Sequence, residues 1–408
     1  MKRGVMVKVL TFLLMFAIGA YLFINSPFNS FDLSNRVAVV VSVPLHGGAG
    51  ESIRNSVELA FEELDYTVGG FNVDLLFLDD GDDNGLWNED LERQNAELAV
   101  ADSDVMAYIG TYNSGAAKIS IPILNKAHIA QISPANTWPG LTKAGFTPGE
   151  PGIFYPTGSR NYFRVCTTDD NQGPAGAVWA TELGFKSVYV VDDGSLYGVG
   201  VSDLFIQKAK DLDIQILGQH TLQKGGVTNL EILREIESLG PNFIYYGGTT
   251  PGGIAPFLQQ MQSFSIPSKI MGPDGISGQD FIDLVGPDVA EGVYVTTIGV
   301  DALNLGTPEA DSFASVYREK YGIEADGFAV LGYETAHVVI EALVAADGKK
   351  DRKTVLKAVA ETKNFDKVLD TWSFDKSGDT DLILLSGSVA KSGSFEFVKQ
   401  LTGPKKSR

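Results

Sequence analysis

The sequence contains a single cysteine, Cys166, among 408 residues. One cysteine excludes an intramolecular disulfide bond, and it excludes a zinc site built from cysteine ligands. It also excludes a lipid-anchored protein, because the anchor needs a cysteine directly after the N-terminal apolar segment and Cys166 lies far downstream. The chain is therefore neither a disulfide scaffold nor a cysteine-ligated metalloprotein.

Basic residues are in the minority. The chain has 32 lysines and arginines against 51 aspartates and glutamates, so its formal net charge is −19 at pH 7. A nucleic-acid-binding protein needs a basic surface that neutralises phosphates, and this charge balance argues against that class. The simplest interpretation of the acidity is solubility.

The motifs of common nucleotide-dependent and hydrolytic enzymes are missing. There is no G-x-x-x-x-G-K-[ST] loop for a nucleotide and no G-x-S-x-G turn for a serine nucleophile. Gly198 and Gly200 begin a dinucleotide-binding pattern that lacks its third glycine. The loop His46-Gly47-Gly48 faintly resembles a lipase oxyanion loop, but a glycine-rich first turn is the simpler interpretation. Since the four histidines also lie in unrelated segments, the sequence predicts neither catalysis nor a bound cofactor.

One acidic loop, Asp79 to Gly85, resembles a calcium-binding loop. From Asp80 it matches D-x-D-x-N-G, but the twelfth position, where a bidentate glutamate should stand, is Leu91. A calcium site is therefore the weaker alternative, and no metal is predicted. The favoured interpretation is that the aspartates at the strand end cap the following helix, predicted over Asn88 to Val100, at its positive end.

The N-terminus has the layout of an export signal. Lys2, Arg3 and Lys8 precede sixteen uncharged, mostly apolar residues, Val9 to Ile24, as in a signal peptide or a signal anchor. Small residues between positions 17 and 20 would suit a signal peptidase, but the apolar run continues past them, which favours an uncleaved anchor. We therefore expect residues 1–33 to form the signal or anchor and the rest to be extracytoplasmic.

The remainder predicts two α/β lobes. A chain of this length is longer than most single domains with one hydrophobic core. From Arg36 onward, β-branched or apolar runs alternate with segments of helical periodicity. Such alternation predicts parallel sheets joined by right-handed crossovers. The predicted strands are Val37–Val43, Val73–Leu78, Val105–Ile109, Ile129–Ile132, Ser187–Val191, Ile214–Gly218, Phe243–Tyr246, Ser268–Met271 and Gly292–Ile298.

The stretch from Phe243 to Ile276 is a complete βαβ unit. Its first strand ends in a glycine-rich loop and its second strand ends in Gly272-Pro273-Asp274-Gly275. Both loops lie at the carboxyl edge of the predicted sheet, which is where open α/β sheets bind ligands.

The sequence of this unit resembles that of the leucine/isoleucine/valine-binding proteins of ABC importers. The resemblance continues along almost the whole part of the chain that we expect to be extracytoplasmic. The segments that carry it are YYGG and MGPDG in the unit above, YIGTYNSG at 108–115, ISPANT at 132–137, YFRVCTTDDNQG at 162–173 and DDGSLYG at 192–198. Each motif is weak alone, but their number and order make the resemblance strong.

The resemblance implies a type I periplasmic-binding-protein fold. It consists of two Rossmann-like, doubly wound parallel-sheet lobes joined by a three-crossing hinge, with crossings near Tyr162–Thr167, Val295–Thr297 and Thr371–Phe374. The expected boundaries are residues 36–162 with 299–370 for lobe 1, 167–295 with 374–401 for lobe 2, and 402–408 for a tail.

A two-point grip on an α-amino acid follows from three of the matched residues. Ser114 and Thr137 each follow a strand and open a helix, so their hydroxyls and the free helical N–H groups suit a carboxylate. Asp274, on the opposite lobe, suits an ammonium group. The structural alternatives are helix capping for the two hydroxyls and a turn aspartate for Asp274.

The resemblance supplies further expected contacts and a function. The full set of expected ligand-binding residues is Tyr112, Asn113, Ser114, Ala135, Asn136, Thr137, Tyr197, Thr249, Asp274 and Phe328. The pattern departs from the family at Thr249 and Ala49, where many members have an aromatic residue. The resemblance therefore does not identify the side chain of the ligand. We expect a substrate-binding protein that delivers a branched-chain or similar apolar amino acid to an ABC permease. The alternatives are a binding protein for amides, urea or another small polar solute, and an anchored sensor domain.

Overall fold

The computed structural model describes residues 35–83, 85–223 and 229–403. The predicted signal or anchor segment, residues 1–33, and most of the predicted tail lie outside this part of the chain. Within it, one helix, Gly327–Ala345, is long and apolar enough to cross a membrane, but most of its apolar stretch is buried inside the protein.

The first sheet has six strands in the order β2-β3-β1-β4-β5-β6. Its core strand β1 is a run of valines buried on both faces, as a central parallel strand requires. Strands β1, β4, β5 and β6 pair in parallel, and β2 forms an antiparallel hairpin with β3. The strands are β1 (Arg36–Val43), β2 (Thr67–Val68), β3 (Phe71–Asp79), β4 (Val105–Gly110), β5 (Ala130–Ser133) and β6 (Tyr162–Arg164).

The second sheet has seven strands in the order β13-β12-β11-β10-β9-β7-β8. The strands from β7 to β11 pair in parallel, whereas β12 and β13 form an antiparallel hairpin on β11. The strands are β7 (Ser187–Asp192), β8 (Gln215–Thr221), β9 (Phe243–Gly247), β10 (Lys269–Gly272), β11 (Tyr294–Thr297), β12 (Leu385–Lys391) and β13 (Ser394–Leu401).

Helices connect these strands and cover the sheets, and each sheet with its packed helices is called a lobe below. They are α1 (Gly48–Glu62), α2 (Glu89–Ala101), α3 (Ser114–Lys126), α4 (Asp169–Glu182), α5 (Leu196–Asp211), α6 (Leu230–Leu239), α7 (Ile254–Ser263), α8 (Gln279–Val285), α9 (Pro287–Ala290), α10 (Pro308–Tyr321), α11 (Gly327–Ala345) and α12 (Arg352–Ala360). Although α11 follows β11 of the second sheet, it packs against α1 of lobe 1, and α12 packs against β4 and β5. The chain therefore returns to lobe 1 after building most of lobe 2, and the lobe boundaries given above stay a prediction.

The structure adds one element and corrects one local prediction. The hairpin β12–β13, for which the sequence pattern predicted no strands, adds two antiparallel strands to the second sheet. The strand-end aspartates do not cap the helix after them: Asn88 is its N-cap, and its side chain accepts from the N–H groups of Asp90 and Leu91. Asp79 instead accepts from the N–H groups of Leu45 and Gly81 and so fixes the loop.

Candidate functional site

The expected ligand residues gather where strands of both sheets end. From lobe 1 come the loops after β4 and β5, and from lobe 2 come the loops after β9 and β10 and the start of α5. Eight of the ten expected residues line one small cavity of about 10 Å³ between the lobes. They are Tyr112, Asn113, Ser114, Ala135, Thr137, Tyr197, Thr249 and Asp274.

The lobe 1 side of this cavity is built from hydrogen-bond donors. Helix α3 begins there, and its N-cap residue Asn113 forms no side-chain capping bond, so that side chain does not occupy the N–H groups of the first turn. The Ser114 hydroxyl accepts from the backbone N–H of Trp138 at 3.2 Å, which leaves its own proton available to donate. Ser114 and Thr137 are both almost fully buried. This arrangement suits an anionic group, such as a carboxylate.

The turn that carries Thr137 is shaped by one hydroxyl. Ser133, the last residue of β5, accepts from the N–H groups of Ala135 and Asn136 at 3.1 and 2.8 Å, and donates to the Thr111 carbonyl at 2.8 Å. The serine therefore fixes the turn after β5 against the loop after β4. This local bonding brings Thr137 and Ser114 to the same wall.

Two of the expected residues lie behind the cavity and do not line it. The Asn136 side-chain amide donates to the Tyr112 carbonyl at 2.9 Å, and its oxygen accepts from the Tyr162 hydroxyl at 3.0 Å. Phe328, in the first turn of α11, packs edge-on against Tyr112, with the ring centroids 5.5 Å apart. Both residues position Tyr112 in this structure.

The lobe 2 side carries a buried carboxylate. Asp274 is 4% exposed, and its Oδ1 atom accepts from the Tyr197 hydroxyl at 2.8 Å. The same hydroxyl accepts from the N–H of Gly275 at 3.1 Å. Burial raises the pKa of Asp274 to about 6, while the hydrogen bonds from Tyr197 and Gln172 oppose the rise. A cation at this point would offset the burial of the charge.

The structure adds a second carboxylate that the sequence reasoning did not select. Asp169, the first residue of α4, is fully buried, and neither carboxylate oxygen makes a hydrogen bond of full geometry within the part of the chain that the structure describes. Its N–H donates to the Thr137 carbonyl at 2.9 Å. Burial raises the pKa of Asp169 well above its ordinary value and the neighbouring Asp274 raises it further, while the Thr137 hydroxyl opposes the rise. The only signal in the sequence was the acidic pair that follows the first hinge crossing.

A larger cavity of about 250 Å³ adjoins the first and shares Tyr112, Asn113 and Thr249 with it. Its walls are mostly apolar or aromatic on the lobe 1 side. The other residues that line it are Pro44, His46, Gly47, Gly48, Ala49, Gly50, Gly85, Leu86, Trp87, Thr250, Pro251, Gly275, Asp280 and Leu284. This cavity is the available space for the variable part of a ligand whose polar end lies against Ser114 and Asp274.

A buried ion pair links the first crossing segment to the ligand turn. The Arg164 guanidinium donates to Asp379 Oδ1 at 2.7 Å through Nε, and through Nη1 to the carbonyls of Asn136 and Trp138 at 2.9 and 2.8 Å. Burial alone would lower the pKa of Arg164, but Asp379 raises it above its ordinary value, so the side chain stays charged. Arg164 thereby holds both neighbours of Thr137.

Metal chemistry has no obvious ligand set here. Within residues 35–83, 85–223 and 229–403, no group of three or more His, Cys, Asp or Glu side chains is arranged to hold a metal ion.

Comparison with known proteins identifies the family to which this architecture belongs. Residues 37–382 match the model of the periplasmic binding protein family. The chain is 26% identical over 372 residues to a Leu/Ile/Val-binding protein homolog of Brucella melitensis biotype 1, which covers 89% of this chain and 94% of that protein.

Solved structures agree with the family match. A leucine binding protein of Thermotoga maritima superposes with a TM-score of 0.78 and 28% identity, over 90% of this chain and 99% of that one. A branched-chain amino acid transporter substrate-binding protein of Streptococcus pneumoniae, solved with isoleucine, has the same fold, with a TM-score of 0.77 and 23% identity over 90% and 100% of the two chains. The match over most of the chain, with two α/β lobes around a shared cavity, shows that this chain is a binding protein, not an enzyme, and belongs to the periplasmic binding protein family.

Proposed function

We propose that this chain is the extracytoplasmic substrate-binding protein of an ABC importer, and that it holds an α-amino acid with a branched-chain or similar apolar side chain between its two lobes. The observation that carries the proposal is the pairing of groups in the smaller cavity. Ser114 and Thr137 on lobe 1 face the same space as Asp274 on lobe 2. A ligand with an anion and a cation on adjacent atoms satisfies both sides at once.

The carboxylate of the ligand is assigned to lobe 1. The Ser114 hydroxyl, the Thr137 hydroxyl and the N–H groups of the first turn of α3 are neutral donors, and the positive end of that helix favours an anion. None of the residues that line the smaller cavity is Lys or Arg, so the helix end takes the place of a basic side chain.

The ammonium group is assigned to lobe 2. Asp274 is the acceptor, Tyr197 holds its carboxylate in place, and Asp169 adds a second buried carboxyl group nearby. Because these acids lie on a different lobe from the carboxylate site, a bound amino acid connects the two lobes and stabilises their closed arrangement.

The rest of the assignment follows from the family and from the sequence. The Brucella relative is called a Leu/Ile/Val-binding protein homolog and the Streptococcus protein was solved with isoleucine, which supports a branched-chain amino acid for this chain. Export through the N-terminal apolar segment, retention as an uncleaved anchor, and delivery to a permease are parts of the same proposal. The three-crossing hinge and the predicted lobe boundaries belong to it as well.

One observation favours a second candidate. The raised pKa of Asp274, about 6, means that its carboxyl group is easily protonated and can then donate a hydrogen bond. A neutral amide or urea would be held by such a group without needing an ammonium.

The decisive experiment removes one charge of the ligand at a time. Isothermal titration calorimetry at pH 7.5 compares leucine with 4-methylpentanoate, which lacks the ammonium, and with isopentylamine, which lacks the carboxylate. We expect leucine to bind and each analogue to bind at least about a hundredfold more weakly, since each leaves one buried site unpaired. Binding of acetamide or urea without binding of any amino acid would contradict the proposal and favour the second candidate.

A further inference from the structure

The larger cavity exceeds the needs of a branched-chain side chain. Its volume is about 250 Å³. The side chain of leucine has only four carbon atoms and leaves part of this space unfilled. The loop Gly47-Gly48-Ala49-Gly50 leaves this room because its side chains have almost no bulk.

Two aromatic rings line the lobe 1 wall of this cavity. Tyr112 belongs to both cavities and therefore lies where the α-carbon end of a ligand meets its side chain. Trp87 packs so closely on Gly115, at the start of α3, that a Cβ atom there would lie 2.4 Å from the indole ring. The ring is thus fixed in place. Aromatic faces accept an apolar stem, and they also attract a cation.

The lobe 2 wall ends in a carboxylate. Asp280 lines the larger cavity, and a Cβ atom on Gly48 of lobe 1 would lie 3.1 Å from its Oδ2 atom, so this carboxylate faces the other lobe. Burial raises the pKa of Asp280, and the Thr250 hydroxyl opposes the rise. None of the ion pairs among the described residues involves Asp280.

The charges around the two cavities are unbalanced. No residue that lines either cavity is Lys or Arg, and the one histidine, His46, is mostly exposed and lies 3.3 Å from Asp79. The α-ammonium and α-carboxylate of a ligand lie against Asp274 and the end of α3. Asp280, which among the described residues is stabilised only by the Thr250 hydroxyl and the first N–H groups of its own helix, is left without a cationic partner. A low-dielectric cleft with a surplus carboxylate attracts a second positive charge.

We propose that the site also takes basic amino acids, with a side chain longer than that of leucine whose cationic end lies against Asp280 and the ring of Trp87. This inference rests on the proposed amino-acid grip and extends its ligand range. The stem of lysine or ornithine runs along the apolar wall, and its terminal ammonium reaches the far carboxylate.

The test compares lysine with norleucine, which has the same four side-chain carbons, to the ε-carbon, and no charge. Leucine is the reference for the proposed function. Calorimetry on the full chain at pH 7.5 gives the dissociation constants for the natural protein and for Asp280→Asn. The matched control is Asp283→Asn on the same helix, since Asp283 is exposed and bonds only locally to Gln279. Far-UV circular dichroism checks the fold of both variants.

We expect lysine to bind about tenfold or more tightly than norleucine, the advantage of a half-desolvated charge pair. Asp280→Asn should bring the two ligands within about threefold of each other, and Asp283→Asn should leave the preference intact. If norleucine binds as tightly as lysine, or if the preference for lysine survives in Asp280→Asn, the inference is overturned while the proposed function stands. If leucine, norleucine and lysine all fail to bind, the proposed function fails together with it.

Discussion

The indole ring of Trp138 on lobe 1 lies directly against the backbone of Gly200 on lobe 2. A Cβ atom on Gly200 would lie 2.5 Å from the ring atom Cζ3, closer than real atoms approach. The ring is held from its other side, because its Nε1 donates to Glu150 at 2.9 Å and Lys118 lies 2.6 Å from the same carboxylate. The lobes can therefore approach this closely only where position 200 has no side chain.

Gly200→Val should act as a wedge between the lobes. The added side chain cannot fit beside Trp138, so the closed arrangement is destabilised and amino-acid affinity falls by about tenfold or more. Small-angle scattering with saturating leucine should show a larger radius of gyration than the natural protein. The double variant Trp138→Ala/Gly200→Val should recover part of the affinity, because it removes the obstructing ring. Strictly additive losses would mean that the contact does not limit closure.

Asp274→Ala should cause the largest loss of affinity in the site. It leaves the ligand ammonium desolvated and without its partner, which weakens the binding free energy by about 2 to 5 kcal/mol and lowers affinity roughly thirtyfold or more. Thr137→Ala should weaken the binding free energy by about 1 to 2 kcal/mol, because the end of α3 still holds the carboxylate of the ligand. The exposed Asp288→Ala in the same lobe serves as the control. Unchanged leucine affinity in Asp274→Ala would exclude this residue as the ammonium acceptor.

Affinity for amino acids should weaken in acid. Burial raises the pKa of Asp274 to about 6, and that of Asp169 is raised as well. The ligand ammonium binds the ionised carboxylates, so protons compete with it as the pH falls through about 6, and affinity approaches a tenfold loss per pH unit below that value. Calorimetry at pH 5, 6, 7 and 8 measures the slope. Asp274→Asn should bind weakly with a shallower profile, and a natural protein with constant affinity from pH 5 to 8 would contradict the assignment.

Two buried acids away from the ligand cavity should make the protein less stable as the pH rises. Asp80 and Glu92 are both fully buried in lobe 1, and burial raises the pKa of Glu92 to about 7. The folded state thus binds a proton that the unfolded state releases above about pH 4.5, so the free energy of unfolding falls by up to about 3 kcal/mol between pH 4.5 and 7. Glu92→Gln should flatten this profile in urea titrations. If the variant keeps the full dependence of unfolding free energy on pH, that dependence arises from other groups.

Removal of one partner of the Arg164–Asp379 pair should be costly. Both side chains are buried, and Arg164→Met leaves the Asp379 carboxylate with only the Thr142 hydroxyl and the more distant Lys143, 3.7 Å away, as partners. We expect a cost of about 3 kcal/mol of unfolding free energy, the low end for a broken buried pair. The double variant Arg164→Met/Asp379→Leu should be more stable than Arg164→Met in chemical denaturation. Its amino-acid affinity should nevertheless stay reduced, because the carbonyls of Asn136 and Trp138 have lost the guanidinium that joins them. Full affinity in the double variant would show that the guanidinium does not position the Thr137 turn.

The alternation of strands and helices could be predicted from the sequence because it depends on local residue patterns. A run such as Val37 to Val43 has no polar face, so only a strand covered on both sides accommodates it, and β1 was found at that place. The hairpin β12–β13 gave no such signal, because most of β13 is exposed and its pattern is set by its neighbours. The helix cap was also misassigned, since Asp79 and Asn88 are equally good capping residues by type and only the loop path distinguishes them.

The sequence by itself determined the two-lobed α/β class, the absence of enzyme motifs and the residue types at the strand ends. It also placed Ser114, Thr137 and Asp274 at loops that follow strands, because strand ends and helix starts are written in short segments. Only the tertiary structure decided which of these loops share a cavity. Asp169 and Asp274 are far apart in the chain and become neighbours through the winding of lobe 2. Asn136, an expected ligand contact, lies behind the cavity wall and donates to the Tyr112 carbonyl. Such contacts depend on how distant segments pack, and a pattern of neighbouring residues carries no record of them.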